Sequence, residues 1–134
     1  HIYSPAEYTH QGIHNRPAGI AYPGEIAGKQ WNKEMLEKEM APVIEFQKKY
    51  HVPIYVGEFG VARWAPGAEQ WLGDAISIFE KYGWDWSYHA FREYEGWDAE
   101  IGSDPADKRR IKTTPRRAVL LDAMKRNRTS PTAE

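Results

Sequence analysis

The chain has 134 residues and a formal net charge of −1, from 18 basic and 19 acidic side chains. That balance argues against a nucleic-acid surface or a polybasic membrane anchor. There is no cysteine, which excludes disulfides, thiolate metal sites and cysteine nucleophiles together.

The length suits one modest domain with one core. No apolar run approaches the roughly 20 residues of a membrane helix, and no leader peptide is read. Six tryptophans and eight tyrosines exceed the needs of a small core. Such an excess serves packing and interfaces, or stacking on the apolar C–H faces of sugar rings.

Residues 1–31 read mostly as loop, broken by Pro5, Gly12, Pro17, Gly19, Pro23, Gly24 and Gly28. A strand ending near His1–Tyr3 is the exception. Asn32 then caps a helix running to about Tyr50, with Leu36, Met40, Val43, Ile44 and Gln47 on one face. Pro42 inside that stretch predicts a kink or a break. Val52 to Phe59 reads as a short apolar strand, and Pro66-Gly67 turns the chain. Ala68 to Tyr82 is a second helix, burying Leu72, Ala75, Ile76 and Phe79 and ending at Gly83. Trp84 to Phe91 is the next strand, and residues 92–113 a long polar loop. Thr114-Pro115 opens a third helix with Val119, Leu120, Ala123 and Met124 inward. From Asn127 the sequence reads as a disordered tail.

Strands alternating with long helices imply an α/β chain with parallel strands and right-handed crossovers. In α/β barrels the chemistry sits at the C-terminal strand ends. Glu58 occupies such an end, between the two glycines of "PIYVGEFG". His1, Tyr3 and Trp86 or Tyr88 occupy others.

Three stretches, "HIYSPAEYTHQG", "PIYVGEFG" and "WDWSYHAFRE", resemble in order the last three strand ends of glycoside hydrolase family 5. These are the cellulase-like (β/α)8 barrels. The resemblance spans roughly residues 1–126. It implies a partial TIM barrel of about three βα units, completed by oligomerisation, element exchange or an N-terminal barrel portion. It implies a retaining endo-β-1,4-glucanase with Glu58 as nucleophile, and His1 and Tyr3 as a His-x-Tyr pair beside it. Tyr3 would donate to Glu58 and keep it ionised. Trp86 would floor a sugar subsite, Trp64 and Trp97 would stack on sugar from nearby loops, and His10 would shape the cleft rim. Trp84 lies one strand period from Trp86 and shares its face. The expected partner is a polysaccharide or oligosaccharide, with no nucleic acid and no membrane; secretion is common among similar enzymes.

The chain also departs from the family pattern. The family's acid/base glutamate follows an asparagine, and no Asn-Glu occurs in these 134 residues. The chain reads as though cut at strand six, so a catalytically incomplete, self-associating fragment that binds polysaccharide is the alternative expectation. Glu93 and Glu100 are read as solvated carboxylates, with sugar hydroxyls as the other partner. His10 and His14 are four apart, but no third ligand stands at good spacing, so no metal is expected. No cofactor is expected either, because glycoside hydrolysis needs carboxyl groups and water.

Overall fold

A computed structural model describes residues 1–127. Beyond Asn127 the tail lies outside the described residues. The elements are α1 (Ala6–Thr9), β1 (Gly24–Ile26), β2 (Lys29–Trp31), α2 (Lys33–Glu39), α3 (Ala41–Tyr50), β3 (Tyr55–Phe59), α4 (Ala68–Lys81), β4 (Asp85–Tyr88) and α5 (Pro115–Met124). β3 and β4 pair in parallel, and Ile2 forms a parallel bridge to Phe59 on the other edge of β3. Three chain segments therefore run side by side in one direction, with α4 joining the second to the third.

The core lies between this sheet and the helices. Trp71, Leu72, Ala75, Ile76, Ile78 and Phe79 of α4 are buried at helical spacing. Against them packs Phe59, fully buried and edge-on to Phe79 at 5.1 Å between ring centroids. At α4's C-terminus, Gly83 has φ +67°, the left-handed conformation that glycine adopts at little cost. α5 starts as its sequence dictates. The Thr114 side chain accepts from the Arg117 N–H at 3.1 Å, and Pro115 fills the first turn, where a missing N–H costs nothing.

The long helix expected from Asn32 to Tyr50 is two helices. Asn32 caps the first, its side chain accepting from the Met35 N–H at 2.9 Å. Met40 closes it, and Pro42 sits in the first turn of the second. Proline has no N–H to give to the preceding turn, so the ladder restarts there.

Two expectations need correction and one needs filling in. The 1–31 segment is mostly loop, but it also holds α1 and an unforeseen β1–β2 hairpin. Ala27 and Gly28 make its two-residue turn with φ of 51° and 74°, the pair of positive values that suits strand twist. The 92–113 segment is not simply polar, since Trp97, Ala99 and Ile101 are buried in it. Met124 of α5, expected inward, is 45% exposed.

Candidate functional site

An irregularity in β3 sets the site. Val56 pairs with Trp86 and Phe59 with Tyr88, so three steps on β3 match two on β4. In a regular strand, residues three apart face opposite sides. The extra residue lets Val56 and Phe59 both bury, at 3% and 0% exposure. It turns Gly57 and Glu58 onto the other side, as bulges re-aim side chains. The Gly57 Cα faces the His1 ring, and Ser87 donates to the Gly57 carbonyl at 2.6 Å. Gly60 follows the strand end, and a Cβ there would collide with the His89 carbonyl oxygen. The two glycines of "GEFG" thus permit close backbone approach on either side of the carboxylate.

Glu58 is partly exposed, and its described side-chain partners are His1 and Tyr3. The Tyr3 hydroxyl donates to Glu58 Oε2 at 3.1 Å, and His1 Nδ1 lies 3.1 Å from the same oxygen. The Ile2 N–H donates to the Glu58 carbonyl at 2.8 Å, which registers the His1–Tyr3 segment against β3. Burial, and then the hydrogen bond to Glu58, hold the Tyr3 phenol well above its ordinary range, so it stays a donor. Tyr3 also lies 2.9 Å from His89 Nδ1. His89 Nε2 in turn lies 3.4 Å from Glu93 Oε2.

Behind this row stands a group of rings. Trp97 lies 4.9 Å from His10 and 6.1 Å from Tyr3 between ring centroids, with Tyr94 at 5.0 Å. Trp97 is 8% exposed, so it backs Tyr3 and His10 and offers little open face. Its indole N–H is buried without a partner among the described residues. His10 is half-buried; burial first, then the Arg16 charge, lowers its pKa, and Thr9 Oγ1 lies 2.9 Å from its Nδ1.

Two tryptophans expected to stack on sugar make packing contacts among the described residues. Trp86 packs edge-on against Phe59 at 5.4 Å, on the opposite face from Glu58. Trp64 donates to the Gln11 carbonyl at 2.8 Å and braces the turn at Gly12. Trp84 is buried, stacked on Phe79 and donating to Gln47 at 2.7 Å. The residue that sequence reasoning missed is His89. Its signal was present in the alternation Trp84-Asp85-Trp86-Ser87-Tyr88-His89: aromatic residues take one face and polar residues the other. Asp85, Ser87 and His89 share the face of Glu58, and His89 is the one at the strand end.

The loop after β4 is fixed by arginines. Glu100 is neither solvated nor free for a sugar: Arg92 donates to it at 2.8 Å, Arg117 lies at 3.5 Å, and Arg92 holds its pKa below the usual range. Arg110 donates to the buried Asp98 at 2.8 Å. Arg63, 1% exposed, donates to the carbonyls of Gly102, Asp104 and Pro105. Arg116 donates to those of Asp98 and Ile101. Among the described residues, no three His, Cys, Asp or Glu side chains converge as a metal site. No helix there is long and apolar enough to cross a membrane.

No protein-family model matches the chain. Endoglucanase C of Acetivibrio thermocellus is 32% identical over 118 aligned positions, covering 66% of this chain and 34% of that protein. The chain is similar to part of that endoglucanase. The proteins it resembles are endoglucanases and glycoside hydrolases that it covers only in part, consistent with a C-terminal fragment of a cellulase-like barrel. A solved hyperthermophilic endo-β-1,4-glucanase in complex with substrate superposes with a TM-score of 0.70 at 29% identity, over 91% of this chain and 38% of that one. The Cel5A endoglucanase of Thermotoga maritima, solved with cellobiose, gives 0.66 at 27% identity over 92% and 37%. The same protein is solved with mannotriose. The chain therefore spans about one third of the length of the relatives it matches, and it is a mixed α/β fragment.

Proposed function

We propose that these residues form the nucleophile side of a retaining glycoside hydrolase site acting on β-1,4-linked glucan, with Glu58 as nucleophile. The observation that carries this reading is the Glu58 carboxylate, turned out at the end of a parallel strand with the Tyr3 hydroxyl donating to it. An ionised carboxylate held by a phenol can attack an anomeric carbon, and a tyrosine that resists ionisation keeps that donor in place. His1 and His10 contribute polar edges to the cleft. The endoglucanase relatives support the reaction class, and the mannotriose complex of one neighbour favours mannan as a second backbone to assay.

Retention needs a second carboxyl about 5–5.5 Å away, to protonate the leaving oxygen and then activate water. Glu58's described side-chain partners include no carboxyl. In this reading residues 1–126 are the C-terminal portion of the catalytic domain, and the acid/base stands on a barrel segment outside these residues. The open groove beside β4 supports that arrangement. Trp86, Tyr88 and Phe91 line it from one side, and Leu120, Leu121 and Met124 from the other. The rest of the barrel would cover it. A self-associating chain that only binds polysaccharide is the second reading, resting on the same groove with a second copy as its cover.

The test is hydrolysis of a soluble β-1,4-glucan by the wild type and by Glu58→Gln. The expected loss is about three orders of magnitude or more, with folding and oligosaccharide binding retained. Glu58→Ala should regain turnover with azide, a small anion that can attack in the vacated space. Wild-type turnover by Glu58→Gln would overturn the assignment. Binding without hydrolysis in the wild type, with dimers in ultracentrifugation, would favour the second reading.

A further inference from the structure

Just past Glu58 the chain fastens two loops at once. Ala62 donates its N–H to the Thr9 carbonyl at 2.9 Å, and Thr9 Oγ1 donates to the Tyr3 carbonyl at 2.7 Å. The next residue serves the other loop. Arg63 donates its backbone N–H to the Gly96 carbonyl at 2.8 Å. Its guanidinium reaches further along the same loop: Nη1 donates to the Gly102 and Asp104 carbonyls at 2.5 Å each, and Nη2 to the Pro105 carbonyl at 3.0 Å. Between these anchors stands Trp97, its ring 6.1 Å from Tyr3, 4.9 Å from His10 and 5.8 Å from His89 between centroids. A guanidinium taken out of water is costly unless its donors are paired. Carbonyls of one loop supply the acceptors here, so closing that loop and burying the Arg63 cation are one event. The flat guanidinium serves diverging acceptors from two nitrogens, whereas a lysine ammonium is a single, more strongly hydrated centre.

We propose that Arg63 is a positioning residue for the Glu58 site: by closing the loop that carries Trp97, it sets the Trp97 ring behind Tyr3 and His10 and so keeps the Tyr3 hydroxyl on the Glu58 carboxylate. Arg63 acts through the loop and through Trp97, not on the carboxylate itself. With the loop open, Tyr3 loses the ring behind it and turns more freely, and Glu58 loses its donor for part of the time. The effect on turnover rests on the glycosidase reading; the loop closure does not.

Hydrogen exchange of the indole N–H groups, followed by NMR on the intact protein, tests the closure. Trp97 Nε1 is buried, so its hydrogen exchanges only when the loop opens. Trp71 of α4, fully buried and donating to the Ser4 carbonyl at 3.0 Å, reports opening of the core. Trp97→Phe and Trp71→Phe assign the two signals. In Arg63→Lys, Trp97 exchange should speed up by about tenfold or more relative to Trp71, because the opening is local. Arg63→Met should widen that ratio; if it does not fold, Arg63→Lys, which keeps the charge, decides alone. Equal acceleration at both indoles would mean that Arg63 acts only through overall stability, and an unchanged Trp97 rate would mean that it does not close the loop; either result overturns the proposal whatever the activity. In turnover assays, Arg63→Lys should lower kcat about tenfold with KM nearly unchanged. In the Tyr3→Phe background the same change should cost less than about twofold, since the donor is already gone. Full, multiplying losses would overturn the link to Tyr3. The expected exchange pattern in a protein that hydrolyses no glucan would leave the loop closure standing and remove the glycosidase reading alone.

Discussion

β3 and β4 are neighbours with opposite surroundings. β3 is bonded on both edges, to Ile2 on one side and to β4 on the other, and its Phe59 is wholly buried. Among the described residues β4 is paired on one edge only, and its aromatic side lines an open groove with α5. The Glu58 row stands on the enclosed strand, so the tyrosine, the histidines and the carboxylate are fixed by contacts within these residues. The groove on the other strand is lined by apolar rings and leucines and is open among the described residues. The enclosed strand thus carries the fixed polar row, while β4 keeps one edge unpaired among the described residues.

Truncating the enclosed side should have the largest effect. Phe59 touches Phe79, Trp86 and Tyr88 edge-on, at 5.1, 5.4 and 5.7 Å between centroids. Phe59→Ala removes that wedge from beneath the bulge that aims Glu58. The expected cost is about 3–5 kcal/mol in urea unfolding. A loss under about 1 kcal/mol would mean that the sheet is not the structural centre described above.

The groove should respond differently. Leu121 is 40% exposed and lines it from α5. Leu121→Ser should change the stability of the isolated residues by no more than about 0.5 kcal/mol, because little apolar surface is lost from a partner. In a protein where the remaining barrel covers the groove, the same change should cost about 2 kcal/mol or more. Equal small losses in both settings would show that nothing docks there, which breaks the contrast between the two strands.

Much of this was readable in the sequence, and what was missed has physical causes. The helix ends were legible because Asn32, Thr114, Pro115 and Gly83 each carry a local mechanism that needs no tertiary context. Pro42 announced the break between α2 and α3. Glu58 and Tyr3 were legible from their place at strand ends, and the structure brings them together. The β1–β2 hairpin was missed because its strands have three residues each, too few for a period to register, and its turn begins with alanine. The bulge in β3, which decides the faces, comes from pairing and leaves no mark in composition. Glu100 looked solvated because its partners Arg92 and Arg117 are brought to it by the loop and by α5.

The smallest expected effect concerns pH and lies on the enclosed side, where α2 meets α4. Glu37 accepts from Lys81 and from the Tyr82 hydroxyl, each at 2.5 Å. These hydrogen bonds hold its carboxyl below the usual glutamate range. A lowered carboxyl pKa favours the folded state once the unfolded chain's glutamate is ionised. The contribution is therefore complete above the ordinary glutamate range and is lost as pH falls through the lower folded value. Lys81 is more than half exposed, and solvent screens the pair, so the whole effect should stay under about 1 kcal/mol. Urea midpoints measured from pH 7 down to pH 3 should show a shallower acid decline in Glu37→Gln than in the wild type. Leu121→Ser should leave that decline unchanged, since the groove on α5 holds none of these groups. Parallel declines in wild type and Glu37→Gln would mean that the helix contact rests on its apolar residues alone, with Leu36 carrying α2 against α4.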